Sequence, residues 1–391
     1  METNCTEHRR NSTIQDDGIL PEDILIEILS TLPVKDLIRL QCVCKSWCSL
    51  INDINFIKLH YRLNYFICKA DADNDYFLHC DGTKTYNSCY DLKLSLLSKQ
   101  TGNNNIPLDL TPKLLVDTAI VGTAQGVVCI LWMKYQNLGL WNPATREFKA
   151  LTPWESSYCV ETFSVEPELI GFGFDFLSDD FKTLRGKRYP RDETQCYEIH
   201  SLKTNSWKRI PEPTDSVYFE SFVMGAYLNG VGYWIVYASD TRKQKSLSDR
   251  VPIILSFNFH TEVFEICNPP DDVILRQSLP YFYEQDVAVY KDRLAIFVWR
   301  TDGNTGECQF DVWVATDVDG NSGTPLSWQH LFTSSNMNDR RSEFVHRVYN
   351  PITEIFKNMR SKRCKYFEYV ESLFPLSRET GLNTRGTALE N

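Results

Sequence analysis

Three cysteines near the N-terminus are the first residues whose types and spacing suggest chemistry. Cys42, Cys44 and Cys48 lie close together, and His60 follows them. Thiolates and imidazoles bind zinc, but tetrahedral zinc sites draw on paired ligands such as Cys-x-x-Cys with a second pair. On a helix, two steps of about 100° would also put Cys42 and Cys44 on nearly opposite faces. The spacing therefore argues against a metal site, and we expect no metal and no other cofactor.

Catalytic motifs are the second kind of chemistry to look for. The histidines, at positions 8, 60, 79, 200, 260, 330 and 346, form no H-E-x-x-H pair and lie beside no G-x-S-x-G nucleophile. The phrase Gly171-Phe172-Gly173 lacks the third glycine of a dinucleotide fingerprint, and the chain has no P-loop. We expect no catalytic residue and no enzymatic activity. The alternative is a metalloenzyme whose site is assembled from residues distant in sequence.

The composition is that of a globular protein in a reducing compartment. Of 391 residues, 42% are hydrophobic and 24% charged, which is enough apolar material for a packed core. No run approaches the ~18 apolar residues of a membrane span, and the first twenty residues lack the apolar core of a signal peptide. We therefore expect a cytoplasmic protein, with the nucleus as an alternative location and no membrane partner. Its 13 cysteines should be reduced.

The net charge narrows the partner class. With 41 basic and 51 acidic residues the formal charge is −10, whereas phosphate binding requires a concentrated excess of Lys and Arg. Nucleic acid is thus not expected, and a basic protein target is favoured by long-range attraction. A charge that only keeps the chain soluble is the alternative.

Residues 20–60 show the pattern of short amphipathic helices. Pro21 suits the first position of a helix, and Glu22 and Asp23 follow in the first turn, where the helix dipole favours acids. Apolar residues then recur at helical spacing up to Pro33 and again from Leu37 to Ile51. One helical hairpin and three short helices fit this pattern equally. The apolar faces could dock a partner or pack on the rest of the chain, and periodicity alone leaves both open.

The same residues carry a family resemblance. The phrases Leu20-Pro21-Glu22-Asp23, Leu32-Pro33 and Cys42-Val43-Cys44-Lys45-Ser46-Trp47 resemble the plant F-box pattern almost throughout. The resemblance implies a module that binds a Skp-type adaptor and, through it, the cullin and RING subunits of a ubiquitin ligase. It assigns the adaptor-binding role to Leu20, Pro21, Ile24, Ile28, Leu32, Pro33, Leu37, Val43 and Trp47.

From about residue 64 the pattern changes to short strands, and an internal repeat organises them. Thr145, Thr204 and Thr261 each lie between two strand-like segments, with an aromatic residue three positions later. Each segment reads as a β-hairpin, and the spacing of 59 and then 57 residues suits a four-stranded blade. The segments Tyr227–Tyr237 and Val287–Trp299 are candidates for the further strands. Tryptophans at 141, 207, 234, 299, 313 and 328 are expected to fill the core between blades.

This body resembles the kelch-like F-box-associated domain of plant F-box proteins over roughly residues 115–335. Trp141-Asn142-Pro143 and Gly171-Phe172-Gly173-Phe174-Asp175 support the resemblance. One departure is Lys182-Thr183-Leu184, where the family has a lysine and two β-branched residues, so a distorted blade is expected there. The predicted fold class is α+β multidomain, with a three-helix F-box followed by an all-β kelch-like propeller.

The predicted domains follow from these patterns. They are a flexible tail (1–17), the F-box (18–62), a connecting and first-blade segment (63–114), the kelch-like β domain (115–370) and a second flexible tail (371–391). Within the β domain, Val348–Met359 reads as a possible amphipathic helix.

The resemblance implies a substrate receptor of an SCF-type ubiquitin ligase that holds a target protein through its β domain. Loops at Glu155–Glu168, Arg185–Thr194, Ser239–Arg250 and Thr301–Glu307 are the candidate contacts, with acidic clusters at Asp71–Asp75 and Asp271-Asp272. Within the family, the sequence most resembles the S-locus F-box proteins. This resemblance implies a pollen self-incompatibility factor that recognises basic S-ribonucleases. The alternative is a non-degradative scaffold that binds the adaptor only.

Overall fold

The computed structural model describes most of the chain between residues 20 and 377. The described residues are 20–70, 76–84, 90–98, 105–108, 118–132, 137–152, 169–188, 195–213, 217–218, 225–238, 251–271, 273, 281–302, 308–318, 325–335, 347–350, 355–358 and 365–377. The predicted tail at 1–17, the loop Glu155–Glu168, the loop Ser239–Arg250 and the cluster Asp71–Asp75 lie outside the described residues.

Four helices form the N-terminal module, which comprises residues 20–70. They are α1 (Glu22–Ser30), α2 (Val34–Leu40), α3 (Lys45–Ile51) and α4 (Ile54–Ala70). Pro21 and Pro33 directly precede α1 and α2 as extended residues, so Pro21 caps the first helix from outside rather than occupying its first turn. The first three helices confirm the three-helix alternative over the single hairpin. Helix α4 extends past the predicted module boundary at residue 62 and past the predicted onset of strands at residue 64.

Side chains cap the N-terminal ends of α3 and α4. The Cys44 sulfur accepts a hydrogen bond from the Trp47 amide (3.5 Å), which satisfies a donor that α3 leaves free at its start. Asp53 Oδ1 accepts from the amides of Asn55 (2.9 Å) and Phe56 (3.2 Å) in the same way for α4. These caps explain why the chain breaks into short helices instead of one long hairpin.

Antiparallel sheets of mostly four strands make up the rest of the described chain. Sheet 1 contains β1 (Tyr76–Lys84), β2 (Tyr90–Ser98), β3 (Asn105–Pro107) and the last strand, β23 (Lys365–Tyr369). Sheet 2 contains β4 (Thr118–Ala124), β5 (Val127–Trp132), β6 (Asn137–Asn142) and β7 (Glu147–Ala150). Sheet 3 contains β8 (Leu169–Asp175), β9 (Asp180–Arg188), β10 (Gln195–Ser201) and β11 (Ser206–Ile210).

The later part of the chain forms three further sheets. Sheet 4 contains β12 (Val217–Tyr218), β13 (Ala226–Leu228), β14 (Val231–Ala238), β15 (Val251–Asn258) and β16 (Val263–Cys267). Sheet 5 contains β17 (Tyr281–Tyr290), β18 (Arg293–Asp302), β19 (Cys308–Val318) and β20 (Pro325–Ser335). Strands β21 (Arg347–Asn350) and β22 (Ile355–Asn358) pair with each other. Successive sheets of this kind form a propeller-like domain, as predicted.

The last strand closes the domain on its first sheet. Strand β23 pairs with β1 in a register that places Tyr369 opposite Tyr76 and Lys365 opposite Cys80. The two ends of the β domain are therefore joined by backbone hydrogen bonds. Strands β1 to β3 lie within the segment 63–114, which the sequence predicts to hold the first blade.

The three predicted hairpins are confirmed at equivalent places. The turns around Thr145, Thr204 and Thr261 join the third and fourth strands of sheets 2 and 3 and the last two strands of sheet 4. Each threonine precedes a residue with positive φ, namely Arg146 (62°), Asn205 (50°) and Glu262 (58°). Backbone amides in these turns donate hydrogen bonds to the side-chain oxygens of Asn142, Ser201 and Asn258. The three repeats thus use the same turn geometry.

Two local predictions were wrong. Strands β8 and β9 pair from Leu169–Gly186 to Asp175–Asp180 without a register shift, so the departure at Lys182 does not distort the blade. Residues within Val348–Met359 form the end of β21 and all of β22 rather than a helix. Pro351 disfavours helix at Asn350, and Val348 and Ile355 are β-branched residues that suit strands.

Tryptophans join neighbouring sheets, as predicted for several of them. Trp234 is buried and its indole N–H donates to the Ile170 carbonyl across sheets 4 and 3 (3.2 Å). The indole N–H of Trp207 donates to Thr152 (2.9 Å), and that of Trp328 donates to Asn268 (3.2 Å). A Cβ at Gly171 would lie 2.5 Å from the Trp234 ring, so this strand requires glycine there.

Candidate functional site: an exposed apolar stripe on the N-terminal module

The N-terminal module exposes a row of large apolar side chains. Leu20 (52% exposed), Ile24 (43%) and Ile28 (46%) are spaced four residues apart, and Val43 follows α2 with 60% of its surface exposed. Residues four apart lie on the same face of a helix, so Ile24 and Ile28 form one stripe along α1. We call these four residues the apolar stripe. Such exposure typically marks a surface that a partner covers.

The structure divides the predicted adaptor-binding residues into three groups. Leu20, Pro21, Ile24, Ile28, Pro33 and Val43 are exposed, and Leu32 and Trp47 are half-buried. Leu37 is fully buried, so its side chain supports the module from within and offers no contact surface. Helix α4 exposes two further apolar residues, Phe66 (61%) and Ile67 (45%), beyond the predicted module boundary. Sequence reasoning passed over them because it placed the end of the helical pattern too early.

The opposite side of the module packs against the propeller. One continuous cluster contains Leu29, Leu37 and Ile57 from the helices together with Val127 and Phe174 from sheets 2 and 3. The sequence left two uses of the apolar faces open, docking and internal packing. The structure assigns one side of the helices to packing and leaves the other exposed.

His60 links α4 to the turn between α1 and α2. Its Nε2 lies 2.8 Å from the Leu32 carbonyl, and the Asn64 amide donates to the His60 carbonyl one turn later (2.9 Å). Burial lowers the pKa of His60, although the hydrogen bond to Leu32 opposes this effect. A neutral imidazole therefore holds Leu32 and Pro33 in place at the edge of the module.

Two cysteines of the module, Cys44 and Cys48, have structural contacts. Cys44 caps α3, and the Cys48 sulfur accepts a hydrogen bond from the side-chain amide of Asn52 (3.5 Å). Among the described residues, no group of three His, Cys, Asp or Glu side chains is arranged to hold a metal ion.

Helix α4 crosses the edge of the propeller that carries its tight turns. Lys58 Nζ lies 2.6 Å from Asp179 Oδ1 in the β8–β9 turn, and the Tyr65 hydroxyl donates to Asp292 Oδ1 in the β17–β18 turn (3.0 Å). Between them, the Tyr61 ring lies 6.3 Å from the ring of Phe374. We call this edge the module-facing edge and the opposite one the far edge.

The predicted target-binding loops leave the sheets at the far edge. Because neighbouring strands are antiparallel, a strand that begins at a module-facing turn ends on the opposite side. Strands β9, β14 and β18 begin at such turns and end at Arg188, Ala238 and Asp302. The predicted loops Arg185–Thr194, Ser239–Arg250 and Thr301–Glu307 contain or directly follow these ends, and their central residues lie outside the described part of the chain.

The main charged cluster of sheets 3 and 4 is internally paired. Lys182 Nζ lies 3.1 Å from Asp175 Oδ2 and 3.0 Å from Glu262 Oε1, and it donates to the Phe259 carbonyl (2.8 Å). Burial alone would raise the pKa of Asp175, but hydrogen bonds from Ser178 and Lys182 outweigh it and lower this pKa to about 2. Charges satisfied in this way hold a turn of sheet 3 to the third hairpin.

An exposed apolar stripe on a helical module, joined to a propeller-like domain, is an arrangement typical of proteins that bind other proteins. Comparison with protein families identifies both parts. The model described as "F-box domain" matches residues 19–59, and the one described as "F-box associated beta propeller domain" matches residues 77–367. The chain therefore belongs to the plant F-box proteins that carry an F-box-associated β-propeller domain. F-box domains bind Skp-type adaptors in SCF complexes, and proteins with this pair of domains are typically non-catalytic adaptors.

Relatives in Arabidopsis thaliana share this organisation. One named "Putative F-box protein" is 29% identical over 63% of this chain and 59% of its own length. A second protein of that description is 25% identical over 81% of this chain and 76% of its own length. An F-box/kelch-repeat protein is 25% identical over 80% of this chain and 74% of its own length. The kelch-like resemblance of the β domain agrees with the last of these names.

Among the described residues, no helix combines the length and the apolar character that crossing a membrane requires.

Proposed function

We propose that this protein is the substrate-recognition subunit of an SCF-type E3 ubiquitin ligase. The observation that carries the proposal is the apolar stripe, which stays exposed although the same helices bury their other side against the propeller. Burial of apolar surface contributes roughly 25 cal/mol of favourable free energy per Å². A matching groove on a Skp-type adaptor that covered these side chains would therefore stabilise the complex. The adaptor in turn connects the receptor to the cullin and RING subunits.

The proposed receptor needs no catalytic group of its own. It binds the adaptor through the module and a target protein through the β domain, which raises the effective concentration of the target near the ubiquitin-charged partner. The far edge is the proposed target side because α4 covers part of the module-facing edge. Target and adaptor would then be held at opposite ends of the propeller.

Adaptor binding is tested with one variant of the stripe and one matched control. Ile28→Asp places a charge in the stripe, whereas Leu331→Asp places one on β20 at a residue of similar exposure (46% and 41%). Co-purification with a Skp-type adaptor should weaken about tenfold or more for Ile28→Asp and stay unchanged for Leu331→Asp. Both variants should keep the wild-type melting temperature. Equal binding by the two variants, or no binding by the folded wild type, would overturn the proposal.

A narrower proposal concerns the target. The formal charge of −10 favours a basic protein, and a secreted S-ribonuclease recognised in pollen self-incompatibility is the specific candidate. Binding of a basic ribonuclease to the full chain should weaken steeply between low and physiological salt, because screening shortens the reach of the attraction. Binding that ignores salt would contradict the electrostatic part. Turnover of the bound target that continues unchanged without the receptor would instead favour the non-degradative scaffold.

A further inference from the structure

The chain does not leave the molecule after the last strand of the propeller. Residues 370–377, here called the C-terminal segment, follow β23 without regular secondary structure, yet Leu373 (6% exposed), Phe374 (2%) and Leu376 (1%) are buried. The sequence predicts a flexible tail from residue 371, and for residues 371–377 that prediction was wrong. A segment without helix or strand that buries its apolar side chains must be fixed by specific contacts.

Sheet 2 provides those contacts on the propeller side. The side-chain amide of Asn142 donates to the carbonyls of Ser372 (2.9 Å) and Phe374 (3.0 Å), and Asn142 is fully buried. The Leu376 amide donates to Glu147 Oε2 (2.8 Å). Gly126 lies directly beneath the segment, because a Cβ there would lie 2.4 Å from Ser372 Cβ. These bonds satisfy backbone groups that a buried irregular segment would otherwise leave unpaired.

The other side of the same segment meets the N-terminal module. The Phe374 ring lies 6.3 Å from Tyr61 of α4, 5.1 Å from Phe174 and 5.6 Å from Phe181, each in an edge-to-face arrangement. Leu373, Phe374 and Leu376 belong to the cluster that joins the helices to sheets 2 and 3. Phe374 thus contacts an aromatic residue of the module and two of the propeller at once.

The polar contacts between α4 and the propeller are exposed, unlike the apolar contacts made by Phe374. The Lys58–Asp179 ion pair has a lysine side chain that is 38% exposed, and exposed ion pairs contribute little to stability because solvent screens them. The bond from Tyr65 to Asp292 is also exposed. The apolar cluster that contains the C-terminal segment therefore provides the buried contacts between the module and the propeller.

We propose that the C-terminal segment is the positioning element of the receptor, because it fixes the adaptor-binding module against the propeller. This inference rests on the proposed ligase function. A target bound at the far edge would be presented to the ligase at a fixed distance and direction only while the segment is in place. Loosening the segment should leave the apolar stripe, and hence adaptor binding, intact while the module and the propeller move relative to each other.

A pair of isosteric substitutions tests this proposal. Asn142→Asp keeps the side-chain oxygen that caps the hairpin turn (3.0 Å to the Ala144 amide) but loses both donors to the segment. Asn258→Asp is the matched control, because Asn258 caps the equivalent turn of sheet 4 (2.8 Å to the His260 amide). We expect amide exchange in α4 to accelerate about tenfold or more in Asn142→Asp and to stay at the wild-type rate in Asn258→Asp. Small-angle scattering of the adaptor-bound receptor should show a larger maximum dimension for Asn142→Asp alone.

A second pair removes the segment itself. A chain truncated after Tyr369 lacks the segment but keeps β23, whereas one truncated after Ser377 keeps both. The shorter chain should bind the adaptor, show faster exchange in α4, and recover the wild-type rate when a synthetic peptide of residues 370–377 is added. A peptide with Phe374→Ser should not restore it. Unchanged exchange and scattering in both Asn142→Asp and the shorter chain would overturn the proposal, whereas lost adaptor binding by the wild type would instead overturn the ligase function.

Discussion

The N-terminal module and the propeller treat their apolar residues differently. Among the described residues, ten large apolar side chains are exposed, and six of them belong to residues 20–70. The propeller exposes the other four, although it contains far more residues. Its strands β5 and β8 bury nearly every side chain, since only Trp132 of the two strands is partly exposed.

This difference follows from how each region closes. Sheets in a propeller cover each other on both faces, and β23 joins the last part of the domain to the first. A module of only four helices cannot cover all of its apolar residues, because small units bury a smaller fraction of their surface. The propeller and the C-terminal segment cover one side, and the apolar stripe is what remains. Exposure concentrated in the module therefore points to a partner of the module.

The largest expected effect separates the two sides of the module. Leu37→Ala removes a fully buried side chain and should lower the free energy of unfolding by about 2–5 kcal/mol. Ile28→Ala truncates an exposed side chain and should change it by no more than about 0.5 kcal/mol, while adaptor binding weakens. Urea denaturation and adaptor titration of both variants check this comparison. A large loss of stability in Ile28→Ala would show that the two sides are not distinct.

The second-largest expected effect is a loss of folding stability of the propeller at acidic pH. Burial, and secondly the Lys149 ammonium, lower the pKa of His200 to about 4. Below pH 6.5 the unfolded chain binds a proton at this residue that the folded chain does not, so stability falls as the pH drops from about 6.5 towards 4.

The contribution of His200 is measured as the difference in stability between the wild type and His200→Phe. Between pH 7.5 and 5 it should amount to about 1–2 kcal/mol after allowance for partial screening by solvent. In His200→Phe, which keeps an aromatic ring beside Trp207, that part of the pH dependence should disappear. The same fall in stability with and without the imidazole would assign the acid sensitivity to another group.

The smallest effect is expected at the polar contact between the two regions. Lys58→Ala removes the ion pair with Asp179 and should lower stability by about 0–1 kcal/mol, less in high salt. Thermal melts at two salt concentrations measure it. A loss comparable to that of Leu37→Ala would mean that the ion pair, rather than the apolar cluster, holds the module in place.

Features set by short-range rules could be predicted from the sequence. The hairpins at Thr145, Thr204 and Thr261 can be predicted because a turn requires particular residues at fixed offsets. Such turn residues occur in each of sheets 2, 3 and 4. The start of α1 was found because proline and acidic residues act within one turn of a helix. The helix predicted at Val348–Met359 is replaced by the end of β21 and by β22, because Pro351 and the β-branched residues outweigh the helical spacing of the apolar residues.

The sequence by itself determined the helical module, the repeated hairpins and the family, since each depends on residues that are near one another in the chain. Only the tertiary structure decided which apolar residues of the module are exposed, that Leu37 is internal, and that Leu373, Phe374 and Leu376 belong to the core. These outcomes depend on contacts such as those of Asn142 with Ser372 and Phe374, which are far apart in sequence. Periodicity shows that a face is apolar, but the identity of what covers it is a property of the whole fold.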